Sequence, residues 1–421
     1  MENVSKHTEE FPIGGLMPDV DGSETTLLSE INRLQKVVET LQSENADLEL
    51  LLENTTQHAD FIEMELEKRN TLIRNLFGRY LDNDIVDNLL ETPEGLKLGG
   101  KRHTITMLVS DLRGFTAFSE QLSAEDVVKV INFYLSQMVE VIATYHGTID
   151  EFMGDGILIF FGAPIEREDD AARAVACAIS MQTVMRTINA QMDAWGLPHL
   201  SMGIGINTGE VVVGNIGSEK RAKYGVVGKQ VNLTFRLESC TTGNQILISE
   251  STWQKLQSMI QVNQSKQIRI KGVSEPVTVY DVVGIGGEYN LWLPQDHEDD
   301  ELLPLDNPIL IQCEILDGKE VTDIVLTGRL IKLSGKGATV QFDPTPDQFI
   351  PDVYTDLKFS CSGNGDVSAI CIDNYAKVIA LDSDDRICQI QFTSMFFDSM
   401  PNLKQLYQSL KQSLHSVTNH Q

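Results

Sequence analysis

Two aspartates stand where strands are expected to stop. Asp111 closes residues 104–110, in which apolar and polar side chains interleave as in a strand. Asp155 lies in Phe152-Met153-Gly154-Asp155-Gly156, a turn between two short apolar runs that reads as a hairpin. Neighbouring strands lie ~5 Å apart, so adjacent strand ends would bring both carboxylates around one or two divalent ions. Hard oxygen ligands suit Mg²⁺ or Mn²⁺, and a triphosphate would complete the shell. Taken singly, each aspartate is an ordinary turn residue, because Asp makes its own local hydrogen bonds there. No Ser/His/Asp or Cys/His constellation offers a rival chemistry. No G-x-G-x-x-G opens a helix after a strand, and no G-x-x-x-x-G-K-[ST] occurs.

The elements that must hold these residues alternate between strand and helix. Residues 123–145 read as a helix: Ser123 can cap it, Glu125 and Asp126 suit its first turn, and Val127, Ile131, Tyr134, Leu135, Met138 and Ile142 recur at helical spacing. Residues 169–194 and 230–240 read as further helices. Residues 201–207 and 210–215 are expected to form a second hairpin about Thr208-Gly209, and 277–283 a last strand. This order predicts an α+β fold with a mostly antiparallel sheet, not a Rossmann fold.

Ahead of this region, a heptad begins at Ile31. Its a positions are Ile31, Val38, Asn45, Leu52, Ala59, Leu66, Ile73 and Tyr80, and its d positions include Leu34, Leu41, Leu48, Ile62 and Leu76. The pattern predicts a parallel coiled coil, with Asn45 facing its own copy. Behind it, Asp296-His-Glu-Asp-Asp-Glu301 marks an acidic linker. Short β-type segments follow and end on an amphipathic helix carrying Leu403, Leu406, Tyr407, Leu410 and Leu414, as in a small β-barrel module. The expected organisation is 1–25 disordered, 26–82 coiled coil and linker helix, 83–285 catalytic domain, 286–307 acidic linker, and 308–415 barrel with its helix.

The chain has 421 residues and a formal charge of −28, from 61 acidic against 33 basic residues. That balance opposes binding to nucleic-acid backbones or anionic membranes. The N-terminus has no basic-then-apolar leader, and the apolar runs fall far short of the ~20 residues a membrane helix needs. The six cysteines have no zinc spacing, so reduced thiols in a cytoplasmic protein without membrane insertion are expected.

Three segments in order carry a family resemblance: Asp111-Leu-Arg-Gly-Phe-Thr116, Ile149-Asp-Glu151-Phe-Met-Gly154-Asp155, and Tyr224-Gly225-Val-Val-Gly228-Lys-Gln-Val231-Asn232-Leu-Thr-Phe-Arg236-Leu-Glu238. Together they resemble the catalytic domain of class III adenylate and guanylate cyclases. Arg79-Tyr80-Leu81 and the run to Leu98-Gly99-Gly100 also resemble the entry to such domains. The resemblance implies a ferredoxin-like or palm-like domain making a 3′,5′-cyclic nucleotide and pyrophosphate from a nucleoside triphosphate. It implies that Asp111 and Asp155 bind two Mg²⁺ (or Mn²⁺). Asn232 and Arg236 would hold the ribose and stabilise the transition state, and Lys271 would touch the triphosphate. It also implies a homodimer whose two sites each take the aspartates from one subunit and Asn232 and Arg236 from the other.

The base is expected to be read at Glu151 and Gly225. Related adenylate cyclases place a Lys and an Asp or Thr there, whereas guanylate cyclases meet guanine's N1–H and amino donors with a Glu. A carboxylate at 151 favours GTP over ATP, unless it merely pairs with a cation and the pocket is permissive. ATP, and a cyclase fold kept as a non-catalytic sensor or scaffold, are the alternatives. The C-terminal module faintly resembles a PilZ domain through Lys332-Leu333-Ser334-Gly335-Lys336-Gly337. Lys332 departs from the acidic or amide residue of that pattern, and no Arg occurs between Arg269 and Arg329. A degenerate barrel serving protein contact or regulation is the expectation.

Overall fold

The computed structural model describes residues 20–77, 97–269, 275–294, 301–317, 320–345, 349–362, 371–382, 384–394 and 401–418. The first unit is one helix, α1 (Val20–Phe77). It starts at Val20, earlier than the boundary expected at 26. Its heptad residues Ile31, Leu34, Val38, Leu41, Leu48 and Leu52 are exposed on the single chain. The entry segment around Arg79-Tyr80-Leu81 falls outside the described residues.

β1 (Gly99–Leu112) is the strand on which the catalytic sheet is laid. It pairs antiparallel with β3 (Gly156–Phe161) on one side and β4 (Met202–Ser218) on the other. β2 (Thr148–Met153) extends the β3 edge. Beyond β4 follow β6 (Ile246–Ser249), β8 (Val277–Ile285) and β7 (Ile260–Ile268), while β5 (Arg221–Val227) pairs with β4 and β9 (Leu291–Trp292) with β8. Among the described residues only β4 and β6 run parallel, so the mostly antiparallel expectation holds.

The helices are α2 (Phe115–Glu120), α3 (Ala124–Thr144), α4 (Asp170–Trp195), α5 (Lys229–Ser239) and α6 (Glu250–Leu256). Ser123 caps α3 by accepting from the Asp126 amide at 3.1 Å. Val130, Tyr134, Met138 and Ile142, four apart, bury one stripe of α3. Each such side chain contributes about 1.5–3 kcal/mol. By length and composition α3 could cross a membrane. Here that stripe packs into the same core as α4 and the sheet.

The expected hairpin about Thr208-Gly209 is absent. β4 continues through both residues, because β1 offers a hydrogen-bonding partner along its whole length, including Ile105 opposite Gly209. A side chain at Gly209 would press on Gln230 of α5, its Cβ 2.7 Å from Gln230 Cγ. The glycine therefore admits a helix rather than a turn. The reversal comes later, between β4 and β5, with Ser218 opposite Arg221.

The C-terminal region is a closed barrel in the order β10–β11–β12–β15–β14–β13. These strands are β10 (Leu303–Asp317), β11 (Glu320–Leu333), β12 (Gly337–Phe342), β13 (Asp356–Ser362), β14 (Cys371–Asp382) and β15 (Ile387–Ser394). Leu326, Leu330, Val340, Phe359, Val378 and Ile390 fill it. The helix α7 (Pro401–Thr418) covers it with Leu403 and Tyr407. The expected acidic linker is shorter than 286–307. Leu291 and Trp292 pair with β8, and Leu303 is already buried in the barrel core, since apolar side chains at both ends find a wall. Cys361 is disulfide-bonded, against the expectation of thiols throughout, whereas Cys177, Cys240, Cys313 and Cys388 are free.

Candidate active site

Strand pairing brings the two aspartates to the same end of the sheet. Asp111 is the penultimate residue of β1, and its neighbour Ser110 pairs with Ile157 at the start of β3. The turn leading into β3 holds Asp155, with Gly154 at φ 68° supplying the left-handed conformation it needs. The two come close: a Cβ built on Gly156 would lie 3.2 Å from Asp111 Oδ1. Asp155 is 3% exposed, and both aspartates line one cavity of about 300 Å³ with the backbone that leads into α2.

Two carboxylates and peptide oxygens at one cavity form a hard donor set suited to Mg²⁺ or Mn²⁺. Among the described residues no third His, Cys, Asp or Glu joins them as a protein cage. Substrate oxygens and water would thus complete the coordination.

Arg113 stands two residues after Asp111, and its side chain is buried. Burial pulls its pKa down, while the fields of Asp111, Asp356 and Asp155 act in the opposite sense. Its guanidinium pairs with the buried carboxylate of Glu238 near the end of α5. This ion pair ties the segment after Asp111 to α5. This pairing was not read from sequence, although Arg113 stands inside the Asp111 motif and Glu238 ends the Asn232 motif.

Glu151 of β2 is linked through Lys223 to β5, the strand that carries Gly225. Lys223 Nζ lies 2.6 Å from both Asp150 Oδ2 and Glu151 Oε2. Burial alone would lower the Lys223 pKa, yet the hydrogen bonds it donates to both carboxylates leave it above its ordinary value. Gly225 has a packing reason of its own, for a Cβ there would stand 2.6 Å from Asp150 Oδ1. The space beside Gly225 is thus held by a carboxylate and not open to water. Lys223 was missed, although its position two residues before Gly225 on a strand puts it on the same face.

Asn232 and Arg236 lie one turn apart on α5. That helix buries Val231, Thr234, Leu237 and Glu238 and leaves Asn232 exposed and Arg236 half-buried. Glu238, two residues on, pairs with Arg113, and Asp193 pairs with His199 at 2.8 Å. The cavity holding Asp111 and Asp155 is lined by neither Asn232 nor Arg236 of the same chain. Lys271 lies outside the described residues.

Residues 100–284 match the model of the adenylate and guanylate cyclase catalytic domain. Adenylate cyclase 1 of Rhizobium meliloti (strain 1021) is 30% identical over 50% of this chain, and the match spans only 32% of that relative. The crystal structure of the guanylyl cyclase Cya2 aligns at 58% identity and TM-score 0.46, covering 47% of this chain and 100% of that one. The adenylyl cyclase CyaB from P. aeruginosa aligns at 40% identity and TM-score 0.43, covering 44% and 96%. Residues 100–284 are therefore an adenylate and guanylate cyclase catalytic domain.

Proposed function

We propose that the chain is a homodimeric nucleotidyl cyclase that converts GTP to its 3′,5′-cyclic monophosphate and pyrophosphate. The observation that carries the reaction class is the convergence of Asp111 and Asp155 on one cavity at adjacent strand ends. In the reaction the 3′-oxygen forms a bond to the α-phosphorus as the bond to the β-phosphate oxygen breaks. The hydroxyl proton leaves to solvent. Divalent cations held by Asp111 and Asp155 would neutralise the triphosphate and favour the deprotonated hydroxyl. Arg236 supplies a planar fork to the phosphate oxygens as charge redistributes, and Asn232 holds the ribose from the same helix face. Lys271 is retained as a triphosphate contact.

A second copy supplies what the cavity lacks. Phe152 of β2, Val212 and Ile216 of β4 and Val227 of β5 are exposed, apolar surface suited to a partner chain. The exposed heptads of α1 suit the same parallel pairing.

Glu151 favours guanine because its carboxylate accepts from N1–H and the amino group. Lys223, held beside it at 2.6 Å, offers the donor that O6 requires. The same ion pair would also hold Glu151 in a pocket that accepts either base, so adenylate cyclase is the second reading. Purified protein assayed with GTP and ATP separately, under Mg²⁺ and Mn²⁺, decides between them. We expect kcat/KM to favour GTP by about tenfold or more. Glu151→Lys should erode that preference, since it places two ammonium groups where guanine presents donors. A tenfold preference for ATP in the parent protein would overturn the base assignment and leave the cyclase standing.

The barrel is read as a regulatory module that does not take cyclic di-GMP. The Ser334 hydroxyl is consumed within its own turn, accepting from the Lys336 and Gly337 amides and donating to the Gly337 carbonyl. Calorimetric titration of cyclic di-GMP should show no micromolar binding. A free energy of roughly −8 kcal/mol would contradict it.

A further inference from the structure

The cavity that holds the aspartates is not closed by the catalytic domain alone. Its other wall is the barrel: Val321 of β11, Asp356 and Lys358 of β13, Tyr375 of β14 and Thr393 of β15 face the same space as Asp111 and Asp155. A basic side chain is thus brought to the pocket where cations and a triphosphate must enter.

The contact is anchored by a buried charge. Lys377 of β14 is fully buried, yet it does not serve the barrel's apolar interior. Its ammonium leaves the barrel, donating to the Ser239 carbonyl at 2.5 Å and pairing with Asp356 at 3.1 Å. Ser239 is the last residue of α5, so the lysine binds the carbonyl end of the helix that carries Asn232 and Arg236. Burial lowers the Lys377 pKa, Asp356 opposes that, and Arg113 adds to it. Tyr354, just before β13, packs on the apolar cluster that includes Leu237 and Cys240. The barrel therefore grips both the metal-side cavity and the end of α5.

We propose that the β13–β14 face of the barrel is a built-in competitor for the active face of the catalytic domain. Docked as here, it holds the enzyme in a low-activity state, because it stands at the cavity that the partner's Asn232 and Arg236 must reach. The inference rests on the shared-site reading above. A polar anchor suits such a role: a buried ammonium is stable only while both its acceptors are in place, so the interface is either closed or released.

The test uses the full chain carrying Lys377→Glu, which sets a carboxylate against Asp356 and the Ser239 carbonyl. The expected result is an initial rate of cyclic-nucleotide formation at least about fivefold above the parent at subsaturating substrate, a shift in population between two states. Amide hydrogen exchange over 111–116 and 237–241 should rise with it. A folded variant with parental rate and parental exchange overturns the proposal, and more exchange without more product overturns the inhibition. If Lys377→Glu loses its native circular dichroism, Lys358→Ala decides, because Lys358 is only half-buried. Its expected effect is a lower KM for the metal–nucleotide complex. An unchanged or higher KM counts against competition and places Lys358 among the substrate's contacts. A chain that forms no cyclic nucleotide in any variant sinks the catalytic reading instead, while the exchange measurement still reports whether the barrel docks.

Discussion

Asp155→Ala is expected to lower the rate of cyclic-nucleotide formation by about a thousandfold or more, roughly 4 kcal/mol of transition-state stabilisation. The residue is almost wholly buried at the β2–β3 turn and faces the same cavity as Asp111. Removing its carboxylate takes away half of the acidic pair that would hold the cations, and among the described residues no group of three or more His, Cys, Asp or Glu forms an alternative metal cage. The turn itself should persist, since Gly154 supplies its left-handed conformation. Circular dichroism and thermal midpoint should therefore stay near those of the parent. Asp155→Asn, with the same shape and no charge, should lose nearly as much activity. Retention of more than about a tenth, a loss under about 1.4 kcal/mol, would contradict the metal-binding role.

The second large effect is a recovery. Arg236→Ala should be as inactive as Asp155→Ala, because it removes the phosphate fork from α5. If each site joins two chains, a mixed dimer gathers both defects in one site and leaves the other intact. Random exchange of equal amounts makes half the dimers mixed, so the mixture should regain about a quarter of parental activity. Single variants incubated alone should regain none. No recovery after exchange has been demonstrated by mass or by tagged pull-down would mean that each chain completes its own site.

Legibility from sequence followed the distance over which each feature is encoded. Asp155 could be placed because its turn is written in adjacent residues, with glycine on either side of the aspartate. The cap of α3 was equally local, Ser123 lying three residues from the amide it accepts. The supposed hairpin at Thr208-Gly209 failed for the converse reason. A glycine that admits a packed helix looks the same in sequence as one that admits a turn, and only the pairing of β4 with β1 distinguishes them. Lys377 reaches Ser239 across 138 residues, between two modules that each look complete alone. Arg113 and Glu238 stand 125 residues apart in different motifs, and their pairing emerges only once α5 is laid across the sheet. Lys223 sits on β5, a strand the sequence reading did not assign, so its approach to Glu151 was hidden.

The Arg113–Glu238 pair has a consequence for how rate should depend on substrate concentration. In the proposed dimer, each subunit contributes its metal-side loop to one site and its α5 to the other. Within every subunit those two parts are joined by a buried ion pair, which resists screening by salt far better than a surface pair. Filling one site, by fixing the loop after Asp111, therefore repositions the α5 that serves the second. The two sites should not behave as independent binders: the saturation curve of the parent should have a Hill coefficient different from one. Arg113→Met with Glu238→Leu, which removes both charges together, should return it toward one.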